Sequence, residues 1–315
     1  ENIFAIQSEL AAAIAGALKA ALSPVEQARA AAMPTQSLEA WEAYQRGRQR
    51  MAKRTSAGLA EAEKFFRQAI ALDPKFALAH TALGDTLRLQ TEYSGKPLEA
   101  TLVEADEAIS RALELDANLA ETWASKGGLA VSRGQFAEAA RLLRRAVEHT
   151  RNYAHAHQWL SLALRGSGRS EEEFAHAERA GQLDPLSAIV RTNLCDSLEF
   201  ARRYDEAAAC HERTIAIDPA SAMSYFSSAM LDAYARNRLA DAVALQERAV
   251  ALDTGSPRLQ AVLATILLDI GDVPRAKQLT ASLVEQWPAG HASNMAAPIW
   301  PIPSATVPGT SLGVR

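Results

Sequence analysis

One short phrase recurs along the chain. A helix-like run ends in an apolar residue, then Asp, then usually Pro, at Asp73, Asp116, Asp184, Asp218 and Asp253. The step from Asp184 to Asp218 is 34 residues and the next is 35. The step from Asp116 to Asp184 is 68, twice 34, and the degenerate copy VEHTRNYAHAHQWL puts Thr150 at its midpoint. A further 34 residues from Asp253 lands on Trp287, followed by Pro288. The step from Asp73 to Asp116 is longer, at 43. A period of this size constrains the fold strongly. Each copy is too small to bury its own apolar face, so the copies must stack.

Composition says what each copy is made of. Alanine is abundant, aromatics make up 6% and charged residues 22% of the 315 residues, and β-branched residues are sparse. That balance favours helix over strand. Small residues hold fixed stations within the period. Ala62, Ala105, Ala139, Ala208, Ala242 and Ala276 lie ten or eleven residues before all but one of the markers. Ala69, Ala112, Ala146, Ala180 and Ala249 lie four before it. Near the front stand Gly47, Gly84, Gly127, Ser161, Cys195, Ala229 and Ala264. Small residues at these points let two antiparallel helices approach closely, with apolar residues at helical spacing on either side.

The period and these stations resemble the tetratricopeptide repeat, a 34-residue helix–turn–helix unit. The fullest match runs from Ala120 to Tyr153, with Trp123, Gly127, Ala139 and Ala146 in place; Phe66, Ala69 and Pro74 match the end of an earlier unit. The resemblance implies an all-α, right-handed superhelical solenoid of about seven units near 37–76, 77–119, 120–153, 154–187, 188–221, 222–256 and 257–288. Seven units make nearly one superhelical turn. Departures are an expected insertion, QTEYSGKPL, between the helices of the second unit and a shorter one near KRTSAG in the first. Arg151 and Thr254 replace the usual proline.

Both ends differ from the array. Residues 1–36 read as an amphipathic helix, a hinge and a short second helix. With the residues that follow, they resemble the junction that precedes tetratricopeptide arrays in bacterial proteins with an upstream class III nucleotide cyclase or winged-helix DNA-binding domain. That resemblance implies a second reading of function, a regulatory or sensor arm whose effector domain lies upstream. Residues 289–315 carry Pro298, Pro301, Pro303 and Pro308 and read as an extended tail. Ile299, Trp300 and Ile302 are expected to lie in a groove of the same or a neighbouring copy.

No catalytic signature emerges. Glycine-rich phosphate loops, H-E-x-x-H, C-x-x-C and G-x-S-x-G are missing from the sequence. Glu171, Glu172 and Glu173 read as a solvated helix start that complements the helix dipole. His149, His155, His157 and His176 cluster, but His155 and His157 are two apart and point to different sides of a helix, so no metal site is expected. The basic run Arg46, Arg48, Arg50, Lys53 and Arg54 is offset by Glu39 and Glu42 and sits in a chain of net charge −4. Neither nucleic acid nor a cofactor is therefore expected. Cys195 and Cys210 read as small buried residues on the two helices of the fifth unit rather than as a disulfide framework. No apolar run is long enough to insert in a membrane. A cytoplasmic location is expected, with the periplasm as the alternative.

In this family the concave face is lined from the first helix of each unit. Carried over by position, it comprises Trp41, Tyr44, Arg48 and Met51, then Leu78, Thr81, Asp85 and Arg88, then His155, Gln158, Leu162 and Arg165. The fifth unit gives Ile189, Thr192, Asp196, Glu199 and Phe200, and the sixth Met223, Phe226, Met230 and Tyr234. Phe200, Met223, Phe226, Met230 and Tyr234 are expected to gather into a patch suited to peptide capture, with Arg48, Arg88 and Arg165 available to acidic groups. The implied function is a non-enzymatic scaffold that binds a protein or peptide partner in its groove.

Overall fold

The recurrent Asp is a helix stop with its own turn chemistry. In the computed structural model, which describes residues 34–286, Asp73, Asp116, Asp184, Asp218 and Asp253 are each the residue that closes a helix. The carboxylates of Asp73, Asp116 and Asp218 then accept the backbone N–H two residues on, at 3.0, 2.9 and 3.1 Å. This local bond stabilises a turn that competes with further helix. The chain repeats the phrase because every unit needs the same reversal.

Fourteen α-helices result among the described residues: α1 Leu38–Ala52, α2 Ser56–Leu72, α3 Ala77–Tyr93, α4 Leu98–Leu115, α5 Ala120–Ser132, α6 Phe136–His149, α7 Ala154–Gly166, α8 Ser170–Leu183, α9 Ala188–Phe200, α10 Tyr204–Ile217, α11 Ala222–Met230, α12 Leu239–Leu252, α13 Pro257–Asp269 and α14 Val273–Gln286. A π-helical turn, Leu231–Ala235, continues α11. Odd-numbered helices pair with the even-numbered helices that follow them, and successive pairs stack. Residues 1–33 of the front segment and the whole proline-rich tail lie outside the described residues.

Close helix approach explains the small stations. A Cβ on Gly47, Gly84 or Gly127 would fall 2.6, 2.5 or 2.4 Å from Phe66, Ile109 or Leu143 of the partner helix. In each of the seven units, one residue of the turn between paired helices takes positive φ: Arg54, Gly95, Gly134, Gly168, Arg202, Asn237 and Gly271. The core is an apolar seam along the array, from Phe66, Phe76 and Ile109 through Leu143 and Leu160 to Leu231 and Ile266.

Three expectations need correction. The insertion in the second unit is not a loop. α3 has 17 residues and α4 has 18, against 13 and 14 in α5 and α6, so the extra residues lengthen both helices by about a turn and only 94–97 connect them. Glu173 is not solvated. It is buried against Arg165, while Glu171 is exposed and Glu172 pairs with Arg144 at 2.8 Å. Cys195 and Cys210 are joined as a disulfide linking α9 to α10. Cys195 occupies the small station where paired helices come closest, which puts its Cα 5.4 Å from that of Cys210 and within bonding range.

Candidate functional site

The concave face holds two neighbouring cavities that share Arg54, Leu89 and Trp159 in their walls. The first is lined by Trp41, Tyr44, Arg48, Met51, Leu78, Thr81, Asp85, Tyr153 and His155, among others. Trp41 and Tyr44 form a cluster with Phe76, whose ring centroid lies 5.0 Å from that of Tyr44. Burial pushes the Tyr44 hydroxyl up to about 12. Burial, helped by Arg54 and Arg48, pushes His155 down to about 4, so this imidazole is neutral at physiological pH. The wall combines aromatic rings with the cations Arg48 and Arg54 and the acids Asp85 and Glu121.

The second cavity is lined by Arg88, Gln158, Leu162, Arg165, Ile189, Thr192, Asp196, Met223, Phe226 and Arg258, among others. The Arg88 guanidinium lies 4.7 Å from the Trp159 ring centroid. Its Nε and Nη2 are buried without hydrogen-bond partners, as is Gln158 Oε1. Burial pushes Asp196 up to about 7. On the same helix, burial and then Asp196 push Glu199 up to about 8. Both acids thus lose much of their charge near neutral pH; burial lowers Arg88 as well, but a guanidinium starts far above neutral pH. The cavity therefore offers apolar surface and positive charge together. Nearby, His211 fills the core position that Phe66, Ile109 and Leu143 hold in other units, and its burial pushes it down to about 4. Its Nε2 is 3.7 Å from Asp196, too long for a hydrogen bond.

The expected site residues divide. Trp41, Tyr44 and Arg48 meet in the first cavity, and Arg88, Gln158, Arg165, Met223 and Phe226 in the second. Arg165 is not available to a partner's acid as expected, because it donates to Glu173 at 2.7 Å and to Ser197 at 2.8 Å. Phe200, Met230 and Tyr234 line neither cavity. Phe200 ends α9 beneath Arg165. Met230 packs in the core beside Ala249 and Leu259. Tyr234 falls in the π-helical turn, where the wider turn changes the helical phase, and lies near enough to Asp269 to feel its charge.

Sequence reasoning missed Arg54, Trp159 and Arg258. Arg258 was within reach. It is the second residue of the seventh unit's first helix, the same position that gives Met223 in the sixth. Trp159 sits beside a lining position and shows that the concave face is wider than the positions carried over. Arg54 lies in a turn that the helix-based rule does not cover. The clustered histidines separate. His155 lines the first cavity, whereas His157 bonds His176, Nδ1 to Nδ1, at 2.8 Å. Among the described residues no three metal-ligating side chains converge, and no helix is long and apolar enough to cross a membrane.

No family model matches the sequence, and no curated protein matches it. Solved structures do match. TTC0263, a thermophilic TPR protein of Thermus thermophilus, is 19% identical with a TM-score of 0.53, over 61% of this chain and 99% of that one. Pseudomonas aeruginosa pilF is 17% identical with a TM-score of 0.48, over 70% and 96%. YrrB, described as a TPR protein with an unusual peptide-binding site, is 21% identical with a TM-score of 0.36, over 59% and 91%. The repeat period, the paired helices with their small contact stations and the likeness to the Thermus protein together show that this chain has the fold of a tetratricopeptide-repeat solenoid.

Proposed function

We propose that this chain is a protein-interaction scaffold that holds a segment of a partner protein in the concave face, as an extended peptide with apolar and acidic side chains. The observation that carries the reading is the composition of the paired cavities. Leu89, Trp159, Met223 and Phe226 line the second cavity beside Arg54 and Arg88, and among the described residues Arg88 Nε and Nη2 have no hydrogen-bond partner, while Asp196 in the same wall is held partly neutral and Glu92 is paired with Arg258. Aromatic, Met and Arg side chains in a recess are the groups that dominate peptide recognition. An acidic side chain reaching Arg88 gains a charge-assisted bond in a site already desolvated. The scaffold role needs no catalytic group.

The disulfide between Cys195 and Cys210 bears on location. Structural disulfides persist in oxidising compartments, which favours the periplasm of the two locations considered above.

Selection from a random peptide library tests the function. Peptides enriched on the wild-type chain should carry Asp or Glu beside aliphatic or aromatic residues. They should bind the Met223→Ala, Phe226→Ala double variant about tenfold or more weakly. Failure to enrich any peptide, or equal binding to the variant, overturns the proposal.

A further inference from the structure

The two ends of the array meet. The backbone N–H of Ser56, the first residue of α2, donates to Asp253 Oδ2 at 3.1 Å, across 197 residues of sequence. The Ser56 hydroxyl donates to the Tyr93 carbonyl at 2.7 Å, joining α2 to the end of α3. Arg258 at the start of α13 donates to Glu92 of α3 at 2.6 Å. Met223 packs on Leu59, Leu89 and Tyr93. A Cβ on Gly255 would lie 3.1 Å from the Ser56 Cβ, so the backbones nearly touch. Both sequence departures are used here. The added turn of α3 supplies Glu92 and Tyr93, and Ser56 lies within the first-unit departure.

The seam differs from the joints between stacked units. Those joints bury alanines and leucines completely, whereas the Glu92 and Arg258 side chains are 24% and 22% exposed and the apolar contact is one methionine deep. The seam also borders the second cavity. Arg258 lies 4.6 Å from the Phe226 ring centroid while holding Glu92, so one side chain touches both the cavity interior and the seam. Residues from all seven units wall the second cavity, Arg54 from the first and Arg258 from the seventh among them. A partner segment longer than a few residues therefore enters through the ends of a closed ring or between its meeting ends.

We propose that the seam joining Ser56, Glu92 and Tyr93 to Asp253 and Arg258 is a clasp, which parts to admit the partner segment and closes over it. That it admits a peptide rests on the function proposed above. That it opens does not, and the test uses no ligand.

Both native cysteines are bonded to each other, so introduced cysteines label cleanly. Lys64→Cys on α2 and Gln278→Cys on α14, both at exposed positions, carry a donor and acceptor dye for single-molecule energy transfer on the full chain. The expected result is a dominant short-distance population with a minor longer one. The longer population should grow about tenfold in Glu92→Gln, Asp253→Asn, and should also grow as salt rises from ~0.05 to ~0.5 M, since an ion pair that water reaches is screened. Circular dichroism checks that the double variant stays helical. If it does not, the single Glu92→Gln change and the salt series on the unaltered sequence carry the test. One short-distance population, unmoved by variant or salt, would show a rigid ring and overturn the clasp. A single long-distance population in the unaltered chain would overturn it too, because the ends would not meet. Peptide selection reports separately, so a moving clasp with no enriched peptide would refute the function and leave the clasp standing.

Discussion

In the middle of the array, α5 to α10 alternate 13 and 14 residues, and the charge they carry inward is fully buried: Glu173 accepts from Arg165 and from Ser197 at 2.7 and 2.6 Å, with both ionised side chains less than a tenth exposed. Where the ends meet, the helices on the front side are longer, 15 to 18 residues in α1 to α4, against 14 and 13 in α12 and α13 across the seam, and the ion pair there, Glu92 with Arg258, is only partly buried. The same repeat thus serves two purposes. A buried, multiply bonded ion pair fixes how neighbouring units stack, because separating it exposes an unpaired charge to a medium that cannot solvate it. A pair that water reaches holds two surfaces together weakly and releases them at little cost. Regular units are what the period dictates, and the departures from it build the contact that no period encodes.

If this contrast is right, removing one acid from each region gives unequal results. Glu173→Ala should cost roughly 3–5 kcal/mol, because Arg165 is left charged and buried. Glu92→Ala should cost no more than ~1 kcal/mol. Urea unfolding followed by circular dichroism measures both. Equal losses would mean that the seam is as much a structural joint as the middle.

The disulfide sharpens the same contrast, since it belongs to the middle. It closes a loop of 15 residues between paired helices that already pack together. For a loop of that length the chain-entropy model gives ~3 kcal/mol, so Cys195→Ala, Cys210→Ala should be less stable by about that amount. Native protein from source cells, trapped with an alkylating reagent at lysis, should show neither thiol modified. Thiols fully modified in that experiment would return the chain to a reducing compartment.

How far the sequence could be read follows from the same physics. The period, the helix pairs and the small stations were legible because they are local. An Asx turn at Asp116 and a glycine facing Leu143 need nothing beyond one unit. Reasoning by position also located the first cavity, where Trp41, Tyr44 and Arg48 meet on a single regular helix. Of the expected patch, Tyr234 falls in a π-helical turn, which changes phase without any signature in composition, while Phe200 and Met230, on regular helices, are taken up by contacts with Arg165 and with the core. The disulfide was missed because two cysteines 15 residues apart are uninformative until one knows that they stand opposite each other on paired helices. The seam was invisible because Ser56 and Asp253 come together only when the rotation of every intervening unit is summed.

The smallest effect separates a turn in the middle from a turn at the ends. Arg54 and Arg202 both take positive φ, 51° and 60°, at the turn position where four other units place glycine. A side chain there costs roughly 1 kcal/mol, partly offset by the extra freedom of an unfolded glycine. Arg202 is exposed and lines neither cavity, whereas Arg54 lines both. Arg202→Gly and Arg54→Gly should therefore each raise stability slightly, by up to ~1 kcal/mol, visible as a shift in the urea midpoint. Only the Arg54 variant should lose affinity for the selected acidic peptides. A strained residue is retained when the strain positions a group that does something else, and that is the distinction these variants measure. Unchanged peptide binding by Arg54→Gly would remove Arg54 from the site and leave Arg88 as the cation that an acidic side chain must find.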